Sequence, residues 1–372
     1  MTTDLIRPGA VWLDTDGKPI QAHGGSILDV DGVFYWYGEN KEHTRPRNGI
    51  WHWGIRCYSS TDLTSWTDRR LIIPPDEGDV SSPLHPSQSV DRPHIIHNRR
   101  TGTFVCWIKV MCADDTQRST VLVADHVLGP YTIVRTGLEP LGMSAGDFDL
   151  VVDPIDGTAY YYFERVHSDL ICADLDDEYT DVTGHFTTHF PRGCPPFVRE
   201  APAHFVRDAT HYLVTSGTTG YHPNPSEIAS ASSYHGPWNL LGDPHPADAS
   251  RTSFNSQISS VFRHPAKRDL YIALADRWMP DLPEQAGEYF ETGEASAVAK
   301  QVMARVFDAA GAHHQAADLP PASDEARRRC GPLLDLSAVD TSVSTYVWLP
   351  FRFDGDVPTL DWRDEWSIDE FD

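Results

Sequence analysis

The chain is poor in cysteine, poor in positive charge and without long apolar runs, and each shortage removes a class of function. Six cysteines among 372 residues, at 57, 106, 112, 172, 194 and 330, form no C-x-x-C pair and no zinc-ligand spacing. They read as reduced, mostly buried thiols rather than a disulfide frame or a cysteine metal site. Thirty Lys and Arg stand against 54 Asp and Glu, a formal charge of −24. That balance repels nucleic acid and anionic membrane, and neither is expected as a partner. No stretch approaches the roughly 18 consecutive apolar residues of a membrane-spanning helix. The opening MTTDLIRPGAVWLD lacks the charged and apolar regions of a secretory signal, so the expectation is a cytoplasmic protein. Acyl- and phosphoryl-transfer motifs and dinucleotide fingerprints are missing as well, and no cofactor is expected.

Aromatic residues, by contrast, are plentiful, with 11 Trp, 14 Tyr and 15 Phe, and they recur in a pattern that returns five times. Each return begins with a polar opener: His23-Gly24-Gly25-Ser26, Asp91-Arg92-Pro93, Asp147-Phe148-Asp149, Glu200-Ala201-Pro202 and Asn255-Ser256-Gln257. An apolar strand then leads to a turn, at Asp31-Gly32, Thr101-Gly102, Asp156-Gly157, Asp208-Ala209 and Arg268-Asp269. Beyond the turns lie VFYWYG, TFVCWIK, TAYYYFE, THYLVTSG and LYIALAD. Successive turns are 52 to 70 residues apart, too far for a solenoid and right for four-stranded propeller blades. A second echo, SSTDLTSWT, ADHVLGPYT and ASSYHGPWN, fits the outer hairpin of a blade. The fold class read from these repeats is all-β, one five-bladed β-propeller spanning 1–372.

One stretch breaks the pattern. Between 281 and 341 the composition turns to Ala, Glu and Arg, and Val298, Val302 and Val306 follow helical spacing. A helix over 294–310 and a shorter one near 323–329 are expected, as an insertion after about the third strand of the last blade. The insertion is read as surface decoration, a homo-oligomer contact or a wall over the site. STYVWLPFRF from Ser344 resumes strand character, and the last strands are expected to pair with the N-terminus to close the ring.

The first strand of each propeller blade lines the channel, so the five openers should converge on one funnel. Asp91, Asp147 (with Asp149) and Glu200 then become neighbours, and crowded carboxylates raise one another's pKa until one stays protonated as a general acid. That chemistry points to glycosidic bonds, which need a proton donor and an opposed base or nucleophile. The competing reading has these acids capping turns or neutralising Arg92, Arg199 and Arg277.

AHGGSILDVDGVFYWYGENK, SSTDLTSW, DRPHIIHN, REAPAHF, FNSQ and ADRW together resemble the family 43 glycoside hydrolases, in particular the exo-β-1,3-galactanase subgroup. The resemblance runs over about 8–280 and resumes over 346–362. It implies Glu200 as general acid, Asp147 as the modulator of its pKa, and Gln257 as the group that positions water for an inverting reaction, either tautomerised or helped by another residue. Glu39 is the fallback base. The blade-one Asp of most family members is replaced by His23-Gly24-Gly25, as in the subgroup. Asp91 stands where the subgroup has Glu; one methylene fewer moves a carboxylate by roughly 1 Å, which admits a furanose in place of galactose. A calcium ion in the axial channel, found in some relatives, is neither required nor excluded.

Further substrate-side candidates are His23, Glu39, Asp91, Thr218, Thr219, Arg277 and Trp278, the last as a platform for a sugar ring or as core. His94 and His97 are three apart on a strand and face opposite ways, so they form no metal pair. An oligosaccharide is the expected partner. The leading reading is exo-acting removal of terminal galactose from β-1,3-linked oligosaccharides. The alternatives are arabinofuranoside, galactofuranoside or xyloside hydrolysis, and a non-catalytic sugar-binding propeller.

Overall fold

The computed structural model describes residues 5–192, 195–281 and 335–372. Twenty strands form five four-stranded antiparallel sheets, each following chain order: β1–β4, β5–β8, β9–β12, β13–β16 and β17–β20. The inner strands are β1 (His23–Val30), β5 (Ser89–Asn98), β9 (Ala145–Val152), β13 (Arg199–Arg207) and β17 (Gln257–Arg263). Behind them lie β2 (Val33–Glu39), β6 (Thr103–Met111), β10 (Ala159–Arg165), β14 (Thr210–Gly217) and β18 (Tyr271–Arg277). All five expected turns join these pairs, and the echoed segments form the β3–β4, β7–β8 and β15–β16 connections.

Alternation explains how the blades adhere. Aromatic and β-branched residues on both faces of the middle strands are buried between neighbouring sheets. Trp36, Trp66, Phe262 and Trp348 pack blade one on blade five. Trp107, Phe148 and Tyr161 pack blade two on blade three, and Phe205, Tyr212, Tyr271 and Phe351 pack blade four on blade five. Burial of each such side chain contributes about 1.5–3 kcal/mol.

Ring closure meets the expectation in part: N-terminal residues pair with the C-terminal segments, but by a bridge and not by an added strand. The fifth blade takes all four strands from the C-terminal half of the chain, β20 (Val357–Leu360) being outermost. The N-terminus contributes one isolated bridge, Ile6 to Trp366, with hydrogen bonds of 2.8 and 3.0 Å, plus Gly9 N to Tyr346 O. Trp12 completes the seam against Trp36, Tyr346 and Trp348. A sheet edge already covered by aromatic packing needs no added strand.

The insertion leaves the fifth blade after its second strand, β18, and returns before the third, β19 (Thr345–Asp354), one strand earlier than the composition suggested. The expected helices over 294–310 and 323–329 lie outside the described residues. Its returning end docks on the β2–β3 loop, where Arg47 pairs with Asp335 at 2.7 Å and donates its backbone N–H to Ser337 O.

Candidate active site

Each inner strand carries a register irregularity, and in four of them it begins at or one residue after the opener: after His23, Asp91, Glu200 and Ile258. In three, the residue after the opener has positive φ: Gly24 at 63°, Arg92 at 55° and Ala201 at 48°. Such a bulge bends the strand and re-aims its side chains. The prolines of Asp-Arg-Pro and Glu-Ala-Pro follow where the ladder is already broken and no donor is missed. The local sequence thus builds the kink that turns the openers toward the channel mouth.

The register sets a second ring behind the first. Glu39 lies opposite His23, Lys109 opposite Asp91, Ser216 opposite Glu200 and Asp276 opposite Gln257. Glu164 takes the matching place on β10, beside the irregularity. Asp91, Asp147, Glu200 and Gln257 of the first ring and Glu39, Lys109 and Glu164 of the second border a cleft of about 580 Å³.

Glu39, Asp91, Asp147, Glu200, Thr218, Gln257 and Trp278 line that cleft, as expected. Lys109 Nζ reaches Asp147 Oδ1 at 2.6 Å and Asp91 Oδ2 at 3.3 Å. Arg92 Nη2 lies 2.9 Å from Asp147 Oδ2 and donates to Gln257 Oε1 at 2.6 Å. Gln257 Nε2 donates to Ser216 Oγ at 2.9 Å and to Glu200 Oε1 at 3.2 Å. Trp278 Nε1 also donates to Gln257 Oε1. With its oxygen accepting twice and its nitrogen donating twice, Gln257 is held as the ordinary amide in a fixed orientation. The neutralising role foreseen for Arg92 therefore coexists with the inner acid cluster.

Charge is divided unequally between the two inner carboxyls. Burial pushes Glu200 well above the usual carboxylate range, and the negative charges of Asp147 and Glu164 push it further. Burial also raises Asp147, but Arg92 and Lys109 outweigh it and hold the group at about 2. Burial and neighbouring negative charge thus favour the protonated form of Glu200, while Arg92 and Lys109 favour the ionised form of Asp147. Burial raises Glu39 to about 7 against the pull of Lys41, whose Nζ is 2.6 Å away.

Three expected contacts fall elsewhere. His23 is wholly buried, with Nδ1 3.0 Å from Asp276 and its ring stacked on Tyr346, because the opening of β1 is sealed by blade five. Thr219 bonds to His222 O and accepts from Asn224, which fixes the loop rather than a ligand. Arg277 follows Asp276 on one strand and so faces the other way, donating to the carbonyls of Phe254 and Asn255. Arg199 likewise binds Thr215 and Glu227, not an inner acid.

Sequence reasoning passed over Lys109, Glu164, Trp51 and Tyr221. Trp51, Tyr221 and Trp278 form an aromatic wall, with successive centroids 6.1 and 5.0 Å apart. Trp51 Nε1 also donates to Asp91 Oδ1 at 2.8 Å. Leu336, at the returning end of the insertion, joins the cleft wall. Deeper in the channel, Asp149 accepts the backbone N–H of His204, and His94 Nε2 lies 3.1 Å from it. One carboxylate and one imidazole are a sparse set for calcium, which takes six to eight oxygens; water would have to supply most of its shell.

A buried carboxyl pushed toward its protonated form, with a second carboxyl held ionised by two cations, in a propeller cleft walled with aromatics, is the layout of a glycoside hydrolase. The model of glycosyl hydrolases family 43 matches residues 19–290, and the chain belongs to that family. Its fold is similar to a family 43 β-1,3-galactosidase, with 25% identity and a TM-score of 0.74 over 99% of this chain and 64% of that one. It is also similar to the exo-β-1,3-galactanase of Phanerochaete chrysosporium with galactose, with 26% identity, a TM-score of 0.73 and coverage of 98% and 68%. A second β-1,3-galactosidase, with galactodeoxynojirimycin, gives 26% identity and a TM-score of 0.73 over 98% of this chain and 100% of that one. The chain thus spans less than two thirds of the first of these structures. No curated protein sequence matches it.

Proposed function

We propose that the protein is an exo-acting hydrolase that removes a terminal galactose from β-1,3-linked galacto-oligosaccharides with inversion. The observation that carries this reading is the placement in one cleft of a buried Glu200, bonded to Gln257, and of Asp147, held by Lys109 and Arg92. Glu200, protonated at neutral pH, gives its proton to the glycosidic oxygen as the bond to the anomeric carbon breaks. Asp147, fixed by Lys109 and Arg92, keeps that proton in place until it is needed. Trp51, Tyr221 and Trp278 offer apolar faces to the sugar, and Asp91 and Glu39 accept from its hydroxyls. The galactose-bearing relatives support this choice of glycone.

Gln257 is assigned to orient the attacking water; held as an ordinary amide it takes no proton, and the proton the water sheds as its oxygen bonds to the anomeric carbon passes to solvent in the cleft. An inverting site separates its two catalytic groups by roughly 6.5–9.5 Å, whereas Gln257 Nε2 is 3.2 Å from Glu200 in the free enzyme. Substrate binding must therefore part them. A second reading gives the water to Glu39, favoured by its place in the cleft and by a carboxyl raised to about 7, near the best value for a general base.

The test is product release with NMR of the nascent anomer. Substrates are β-1,3-galactobiose and aryl β-galactopyranoside, α-arabinofuranoside, β-galactofuranoside and β-xyloside. Galactose of inverted configuration from the disaccharide is expected. Release of a furanose or of xylose would move the glycone assignment, and no release from any substrate would favour a sugar-binding propeller. Loss of activity in Glu39→Gln but not in Gln257→Ala would transfer the water to Glu39.

A further inference from the structure

At the outer edge of the ring, Asp174 on β11 (Asp169–Leu175), His185 on β12 (Val182–His189) and His235 in the β15–β16 connection turn toward one point. One ligand atom from each lies within 4.8 Å of the others. Asp174 Oδ1 is 2.7 Å from His235 Nε2, and Oδ2 is 2.9 Å from His185 Nδ1. None of the three lines the cleft. We propose that these residues bind a divalent transition-metal ion of the zinc class, which clamps blade three to blade four.

The donor set selects the ion. Two imidazoles and a carboxylate suit zinc and its neighbours, whereas calcium and magnesium demand oxygen. A tetrahedral ion with bonds of about 2.0–2.1 Å sets its ligand atoms roughly 3.3 Å apart. The two carboxylate contacts, one on each oxygen, need to open by about half an ångström, while the three ligand atoms, now within 4.8 Å of one another, draw in around the ion. The His185 side chain is 64% exposed and can turn to do so. Three protein ligands at the surface leave the fourth position to water.

The surroundings of His235 fit the same purpose. Its Nδ1 is 2.8 Å from Thr187 Oγ1, which is 2.8 Å from His189 Nε2. A metal on Nε2 requires the proton on Nδ1. Thr187 accepts that hydrogen bond and donates its own to His189. Without metal the chain runs the other way, with His235 Nε2–H donating to Asp174. Outer partners of this kind fix the tautomer and orientation of a ligating histidine.

Position supplies a reason for a clamp. The apolar cluster described between blades three and four has only Tyr162, Leu170, Cys172 and Leu213 as buried members, the smallest of the clusters described. An ion held by blade three on one side and His235 on the other ties the ring where its apolar packing is thinnest. The ligands are 11 and 50 residues apart along the chain, so no local motif announces them.

Titration calorimetry and thermal unfolding with ZnCl2, on the untagged protein, decide the matter. The wild type should bind one ion per chain and gain Tm. Thr187→Val should weaken binding by about tenfold and His185→Ala by ~100-fold, the latter abolishing the Tm gain. Glycosidase activity of His185→Ala without added metal should equal that of the wild type, showing that it folds. No binding by the wild type, undiminished binding by His185→Ala, or an equal response to CaCl2 or MgCl2 would overturn the assignment.

Discussion

Blade one and blade four meet the channel with the same kinked strand but arrange their polar residues in reverse. In blade four the acid, Glu200, is on the inner strand and a hydroxyl, Ser216, stands behind it. In blade one the inner strand offers His23, sealed against Asp276 and Tyr346, and the acid, Glu39, stands behind. Blade four therefore presents to the cleft a carboxyl pushed toward its protonated form, while blade one presents a carboxyl bonded to Lys41 and the backbone N–H of Arg92. Repetition of backbone does not carry repetition of chemistry. The function arises because each blade fills one of two equivalent places with its reactive group.

Substitution of Glu200 should break this contrast most severely. Glu200→Gln keeps shape and removes the proton, so kcat on β-1,3-galactobiose should fall by about 10³-fold. An aryl galactoside, whose leaving group needs no proton, should lose far less; equal losses on both substrates in steady-state assays would contradict the role. The same variant should be more stable than wild type at pH 7–8. A carboxyl whose folded pKa is raised contributes stability below its unfolded value and loses it as pH rises toward the folded one, and Gln removes that loss.

Asp147→Asn should act next, lowering kcat by about 10²-fold. It removes a negative charge that raises Glu200 and frees the positive charges of Lys109 and Arg92 to lower it. The alkaline limb of the pH–kcat/KM profile should move to lower pH. A limb that stays in place or moves up would show that Asp147 does not tune the acid.

His23→Ala sharpens the comparison from the other side. Removing one partner of a buried pair should cost about 3–5 kcal/mol in denaturant unfolding, while kcat of the folded protein changes by less than about tenfold. A loss as deep as that of Glu200→Gln would place His23 in the chemistry after all.

Much of this organisation was legible in the chain. The five openers, five turns and aromatic strands specify five blades because propeller geometry repeats the same short-range pattern. Asp147 and Glu200 followed from their places as openers, and Gln257 from the resemblance of FNSQ to the galactanase subgroup. The second ring was written there too, as the polar ends of VFYWYGE, TFVCWIK, TAYYYFE, THYLVTS and LYIALAD. A Lys or Glu ending an aromatic strand also fits an exposed edge, and only the register across the bulge places it behind an opener. Strand alternation was enough to set Arg277 apart from Asp276, which faces His23 and the Gly24 N–H, whereas Thr218 and Thr219 lie beyond the end of β14 and no alternation separates them. Ring closure was legible only as a pairing of the two ends of the chain; the aromatic seam of Trp12, Trp36 and Trp348 draws on three distant segments and was not.

The central claim is that Glu200 remains protonated at neutral pH while Asp147 is ionised. Infrared difference spectroscopy of wild type against Glu200→Gln at pH 7 tests it directly. A protonated carboxyl band present in the wild type and missing from the variant is predicted; a carboxylate band in its place would contradict the account.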